Sequence, residues 1–246
     1  EIFHEGTLSA SARQRAIKIK KAFDAGFLEK IITDVSKGQL QPNNEKISSI
    51  CNKNIRDLVG SVTSEVGRAL IGLTVMQLAI KAICPNQSIR LHKGSASTGS
   101  FSWVEGVSMR VLDKAYVTPA LRRFGLVRLN ADGFMMTRSL AENYPYSRLY
   151  KASIRGARLQ WLEIVEDLES DSTDPLQSLI YLVSLLQNSA DDFKANCNSL
   201  FMKLRQSGNK YSNREAVLDL IWNHIEESDY AARLLEVAMH SLIQAL

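Results

Sequence analysis

The sequence predicts a mainly α-helical protein in which bundle-like helical regions surround one central β-hairpin. Three observations carry that expectation. Apolar residues recur at spacings of three and four through most of the 246 positions. The breaks are Ser, Asn and Gly turns with only 5 Pro. One pair of short apolar runs brackets a turn ending in Asp-Gly. With 45% hydrophobic residues the chain can bury a real core.

Ser9 to Val35 reads as one helix, because Ala12, Ala16, Ile19, Phe23, Phe27 and Ile31 fall on one face. Arg13, Lys18, Lys20 and Lys21 lie opposite, and Gly38 is the stop. Gln39 to Asn44 is a polar loop containing Pro42. A second helix is predicted over Glu45 to Val59. A longer one covers Thr63 to Ile83, where Val66, Leu70, Leu73, Gln77 and Ile80 form a mostly apolar stripe, and Cys84-Pro85-Asn86 ends it. Ser88 to Leu91 is a short strand candidate. His92 to Ser100 is a small-residue loop that cannot supply a core. Trp103 to Tyr116 and Pro119 to Phe124 read as two helices, the second opened by Thr118 as N-cap with Pro119 at the first helical position. The hairpin pairs Leu126 to Leu129 with Phe134 to Thr137 around Asn130-Ala131-Asp132-Gly133.

Helical periodicity returns over Leu149 to Leu168. Pro175 opens Leu176 to Leu186, which is apolar nearly all round and therefore expected to be buried. Asp191 to Leu204, Asn213 to Glu227 and Asp229 to Leu246 are amphipathic. Asp167 to Asp174, acidic and containing Ser, is a candidate hinge. No repeat recurs at a solenoid period.

Charge is segregated along the chain. Residues 88–158 hold 12 Lys and Arg against 4 acids, residues 1–87 hold 12 against 8, and residues 159–246 hold 6 against 14. Three regions follow: an N-terminal helical region 1–87, a basic region 88–158 and an acidic C-terminal helical region 159–246. A concentrated basic surface attracts polyanions and releases counterions from a nucleic-acid backbone, so the central region is the expected working surface. The alternative is a basic surface that is merely solvated.

The longest apolar run, Ala69 to Ile83, is interrupted by Gln77 and Lys81 and falls short of the roughly 18 residues a bilayer span needs, so no membrane partner is expected. The N-terminus has neither Met nor a secretory layout, which suggests a fragment of a longer chain. Cys51, Cys84 and Cys197 match no C-x-x-C pattern and argue for a reducing cytoplasm and against structural zinc.

Catalytic patterns fail on inspection. Gly94 to Ser100 spaces two glycines as a phosphate loop would, but Ser100 stands where the Lys is required. His224 has no second His four residues on, so a solvated acidic helix end explains His224, Glu226 and Glu227 better than a metalloprotease. A metal-dependent nuclease would need an acid followed by Asp/Glu-x-Lys on a strand. The one match, Asp174 with Asp192-Phe193-Lys194, lies in helical segments. Trp103, Tyr116, Tyr144, Tyr146, Tyr150 and Trp161 could stack bases, but core and elbow packing is the favoured reading. No catalytic residue and no metal site is assigned.

The passage Leu121-Arg122-Arg123-Phe124-Gly125-Leu126-Val127-Arg128-Leu129, continuing through Asp132-Gly133 to Thr137, resembles the helix-to-wing passage of winged-helix DNA-binding domains. The resemblance is confined to the central region and rests on pattern. It implies Thr63 to Ile83 as the core helix, Trp103 to Tyr116 as the second, Pro119 to Phe124 as the helix that enters the major groove, and Leu126 to Thr137 as the wing.

The expected DNA-contacting residues are His92, Lys93, Ser97, Thr98 and Ser102 in the loop, Arg110, Lys114, Thr118, Arg122 and Arg123 on the helices, and Arg128 and Arg138 flanking the wing. Such elements occur in the specificity portions of bacterial restriction endonucleases and in transcription regulators. The leading expectation is therefore sequence-specific double-stranded DNA recognition as the DNA-binding part of a restriction-type endonuclease. No cofactor is expected unless a nuclease domain elsewhere takes Mg²⁺, and further partners would be a second copy of the chain or a catalytic domain. The competing expectation is a helical interaction or oligomerisation scaffold, built on the stripe Leu234, Leu235, Ala238 and Leu242.

Overall fold

The computed structural model describes residues 8–90, 104–129, 157–207, 214–228 and 231–245. These residues are mainly helical, and the chain divides into two compact units, Glu1–Gln187 and Asn188–Leu246.

In the first unit, α1 (Ala10–Asp24) begins at Ser9, whose Oγ accepts from Ala12 N at 3.1 Å. The single helix expected over Ser9 to Val35 is in fact two. Gly26 takes a left-handed φ of 76°, which turns the chain between α1 and α2 (Phe27–Ser36). The 3.6-residue periodicity runs on across the break because both helices bury their apolar faces in the same core. Gly38 does end α2: its N–H donates to Val35 O and that of Gln39 to Asp34 O.

After a short 3-10 turn, Asn44–Lys46, α3 (Ser49–Gly60) is capped by Ser48 and α4 (Glu65–Ile83) by Ser64. The stripe expected on α4 understates it, for this helix is buried on every side. It is the one helix among the described residues long and apolar enough to cross a membrane, yet most of it lies inside the first unit, where it forms the core. Leu70, Leu73, Met76 and Leu78 are fully enclosed, each such side chain contributing about 1.5–3 kcal/mol.

Buried polar groups on α4 all find partners. Thr74 donates to Leu70 O at 2.8 Å, and Gln77 donates to Ile89 O at 3.3 Å while accepting from Trp161 Nε1 at 2.8 Å. Lys81 donates to Pro85 O at 3.0 Å and faces Glu169 at 3.5 Å. The strand expected from Ser88 does not form over Ser88 to Arg90. Those residues hang from α4 and from Glu169 instead of pairing with a neighbouring strand.

The chain then forms α5 (Met109–Leu112), a π turn (Asp113–Val117) and α6 (Thr118–Arg123). Helix α7 (Arg158–Glu169) carries the fully buried Trp161, in keeping with the packing reading of that residue. The expected hinge at Asp167 to Asp174 is instead a pinned turn. The Ser48 hydroxyl donates to Asp167, Ser48 N to Thr173 Oγ1 at 3.2 Å, and Asp174 N to Lys46 O at 3.0 Å.

Asp174 also caps α8 (Pro175–Ser207) by accepting from Leu176 and Gln177 N, a role that accounts for one of the two acids in the nuclease-like pattern. Two helices were expected where α8 runs unbroken. Gln187, Asn188 and Ser189 lower helix propensity by only tenths of a kcal/mol each, roughly, and include neither Gly nor Pro.

The second unit contains the end of α8, α9 (Arg214–Glu226) and α10 (Ala231–Ala245), around Leu200, Ile221, Ile225 and Leu234. His224 is not part of a solvated helix end. It is buried, with Nε2 at 3.1 Å from Asn196 O and Nδ1 at 3.4 Å from Lys203 Nζ, and so fastens α9 to α8. Of the predicted apolar stripe, Leu234 is buried, Ala238 packs against this small core and Leu235 is exposed. Leu242 lies where no side chain is described.

Candidate nucleic-acid interface

The run from Met109 to Arg123 is where the basic region takes shape. Two helices separated by an N-cap were expected there, but Thr118 is itself helical, with φ −59° and ψ −46°. Pro119 lacks the N–H that would bond Ala115 O, and its ring would press on that carbonyl in a regular α-helix. A π turn just before it relieves the conflict: Thr118 N reaches back five residues to Asp113 O. Proline is thus accommodated without breaking the run. The expected helix-to-helix turn is replaced by one irregular helix.

That irregularity decides which side chains face out. Arg110, Lys114, Pro119 and Arg123 are exposed at steps of four, five and four, with Val111, Ala115 and Arg122 beside them, while Met109, Leu112, Val117, Ala120 and Leu121 are buried. The run spans about 20 Å at 1.5 Å per residue. Thr118, expected among the DNA contacts, is instead buried, and its hydroxyl donates to Asp113 Oδ1 at 2.6 Å.

At the end of the run Gly125, with φ 69°, closes a Schellman turn: its N–H donates to Arg122 O and that of Leu126 to Leu121 O. Beyond it Leu126, Val127 and Leu129 are buried and Arg128 is exposed. No strand is formed over Leu126 to Leu129, and the turn and return arm of the predicted hairpin, together with Arg138, lie outside the described residues. So do His92, Lys93, Ser97, Thr98 and Ser102.

The two acids of this segment are buried or paired. Asp113 is 1% exposed. Glu105 accepts from Ser9 Oγ at 2.6 Å and pairs with Arg15, and these contacts hold its carboxyl below the ordinary value despite partial burial. Of the two carboxylates between Val104 and Leu129, Asp113 is buried and Glu105, partly exposed, is paired with Arg15, whereas Arg110, Lys114, Arg122, Arg123 and Arg128 are all exposed.

The chain on either side of residues 91–103 is held firmly. Gln87 Nε2 donates to both Ser88 O and Glu105 O at 3.0 Å, and its Oε1 accepts from Arg15 Nε at 2.9 Å. Ser9 N donates to Val104 O at 2.9 Å, and Glu169 accepts from Ile89 N at 2.6 Å and from the Ser88 hydroxyl at 3.2 Å. Sequence reasoning missed these anchors, since nothing in the spacing of Gln87, Glu105 or Glu169 links them.

No known family model matches this chain, and no curated protein or solved structure is significantly similar to it. Its chemistry must be read from its own residues. Among the described residues no group of three His, Cys, Asp or Glu is placed to hold a metal ion. What the 104–129 segment offers is exposed positive charge and hydrogen-bond donors on a hydrogen-bonded frame.

Proposed function

We propose that the chain recognises double-stranded DNA through its central basic segment, as the DNA-binding part of a restriction-type endonuclease. The irregular helix Met109–Arg123 reads the groove and Arg128, just beyond it, contacts the adjacent backbone. The observation that carries this reading is the set Arg110, Lys114, Arg122, Arg123 and Arg128, all exposed on a stretch whose two acids are a buried Asp113 and a Glu105 already paired with Arg15. Five phosphate or base contacts of this kind give a dependence of log affinity on log salt with a slope of about −4 to −5. Arg can grip guanine bidentately, whereas Lys acts as a point charge on phosphate.

The test is fluorescence anisotropy with a random 25-base-pair duplex across a salt series, followed by selection from a random pool. Arg122→Ala and Arg123→Ala relax sequence preference, while Lys114→Ala weakens all duplexes alike. Equal binding at low and high salt would overturn the reading.

A second reading concerns the Asn188–Leu246 unit, where Phe201, Met202, Leu218, Trp222 and Met239 are exposed. Such residues favour a protein-interaction role for that unit. Self-association without any duplex binding would select it over the first.

A further inference from the structure

We propose that the exposed face of α1, carrying Arg13, Lys18, Lys20 and Lys21, is a second phosphate-binding tract that continues the duplex contact beyond residues 104–129. This inference rests on the duplex-DNA reading above and names a surface that reading does not use.

The fold sets α1 beside the basic segment at both ends. Near its start, Ser9 N and Oγ bind Val104 O and Glu105, and Arg15 pairs with Glu105. Near its end, the Phe23 ring stacks on Tyr116 with centroids 5.3 Å apart, and the Tyr116 hydroxyl donates to Asp24. A polyanion lying on the 104–129 segment is therefore carried alongside α1.

The charge of α1 is one-sided. Its fifteen residues contain five Lys and Arg and a single acid, Asp24. That acid is already taken up by Lys20, at 2.7 Å, and by Tyr116. Arg15 is turned inward to Gln87 and Glu105. Arg13, Lys18, Lys20 and Lys21 remain exposed.

A face that was merely solvated would ordinarily interleave acids three or four residues away to offset its cations. Here Arg13 and Lys18 have no acid three or four residues away in the helix, and the one that stands three from Lys21, Asp24, is engaged by Lys20 and Tyr116. From Arg13 to Lys21 the helix rises about 12 Å. A duplex presents roughly seven phosphate charges over that length of its axis. Three of the four side chains are Lys, which suits phosphate contact and not base reading.

The experiment uses the full chain and the variant Arg13→Gln/Lys18→Gln/Lys21→Gln, which leaves the Lys20–Asp24 pair intact. Anisotropy titrations with a random 25-base-pair duplex are run from 50 to 300 mM KCl, beside thermal melts and titrations with phosphatidylserine vesicles. The expected result is unchanged melting, a salt slope shallower by about 2 to 3, and affinity at 100 mM lower by roughly 10- to 100-fold for every duplex sequence. A wild-type chain that binds duplex while the variant keeps its slope within about 0.5 overturns the α1 tract and leaves the central reading standing. A wild-type chain that binds no duplex overturns both, as does binding to the vesicles with none to DNA.

Discussion

Glu169 is the group that ties Ser88 and Ile89 to Lys81 of α4, and its removal has a calculable cost. Its carboxylate faces Lys81 at 3.5 Å, with side-chain exposures of 18% and 5%, and accepts from Ile89 N and the Ser88 hydroxyl. Breaking a buried ion pair from one side costs about 3–5 kcal/mol. The Pro85 carbonyl remains for Lys81, at 3.0 Å, which puts Glu169→Ala near the lower end, about 3 kcal/mol. For a protein of this size each kcal/mol lowers Tm by about 2–4 °C, so Glu169→Ala should lower it by about 6–12 °C.

Glu169→Gln keeps an acceptor for Ile89 N and should cost roughly half as much. Adding Lys81→Met to Glu169→Ala removes the unpaired ammonium and should recover part of the loss. Differential scanning calorimetry of the four proteins decides the matter. A drop below about 2 °C for Glu169→Ala, or a double variant no better than the single one, would refute the argument that this pair holds Ser88 and Ile89 to α4.

Gly67→Ala should destabilise by about 1–3 kcal/mol, because a Cβ there overlaps the Ser61 carbonyl, while Gly60→Ala, with open space around it, should be neutral or gain up to about 1 kcal/mol in urea titrations. Glu105 has a folded pKa below its unfolded value, so its contribution is present above about pH 4.5 and lost as pH falls through the folded value. Its side chain is 40% exposed, so Glu105→Gln should cost less than about 1 kcal/mol near pH 6, and melting curves of variant and wild type should converge by about pH 3. Cys51 is fully enclosed and burial pushes its thiol up to about 11, so iodoacetamide at pH 8 should modify Cys197 well before Cys51 by mass spectrometry. Equal labelling of the two would contradict the packing of α3.

The helical character of the protein was legible because amphipathic spacing survives in the sequence and Gly38 marks a helix end, whereas the caps Ser48 and Ser64, inside the expected helices, were not recognised as starts. Errors arose where one local signal had to outrank another. Gly26 breaks a periodicity that continues through it, and Asn188-Ser189 interrupts a pattern without interrupting the helix. Pro119 looked like a helix start because a π turn, which leaves no mark in composition, lets proline sit inside the run.

At the candidate interface the exposed cations were legible as a cluster. The burial of Thr118 and Asp113 and the pairing of Glu105 with Ser9 and Arg15 were not, since they depend on partners brought together only by folding. The cations of α1 were visible as one face of a helix. Their nearness to Tyr116 was not.

The five-residue turn at Asp113–Val117 acts as a phase adjuster between two pairs of cations. Deleting Ala115 from it would restore ordinary winding and rotate Arg122 and Arg123 by about 100° relative to Arg110 and Lys114. The charge inventory would be unaltered, yet the two pairs would no longer address the same side of a rod-shaped ligand. Angular alignment, as much as total charge, is thus encoded by a single extra residue of helix.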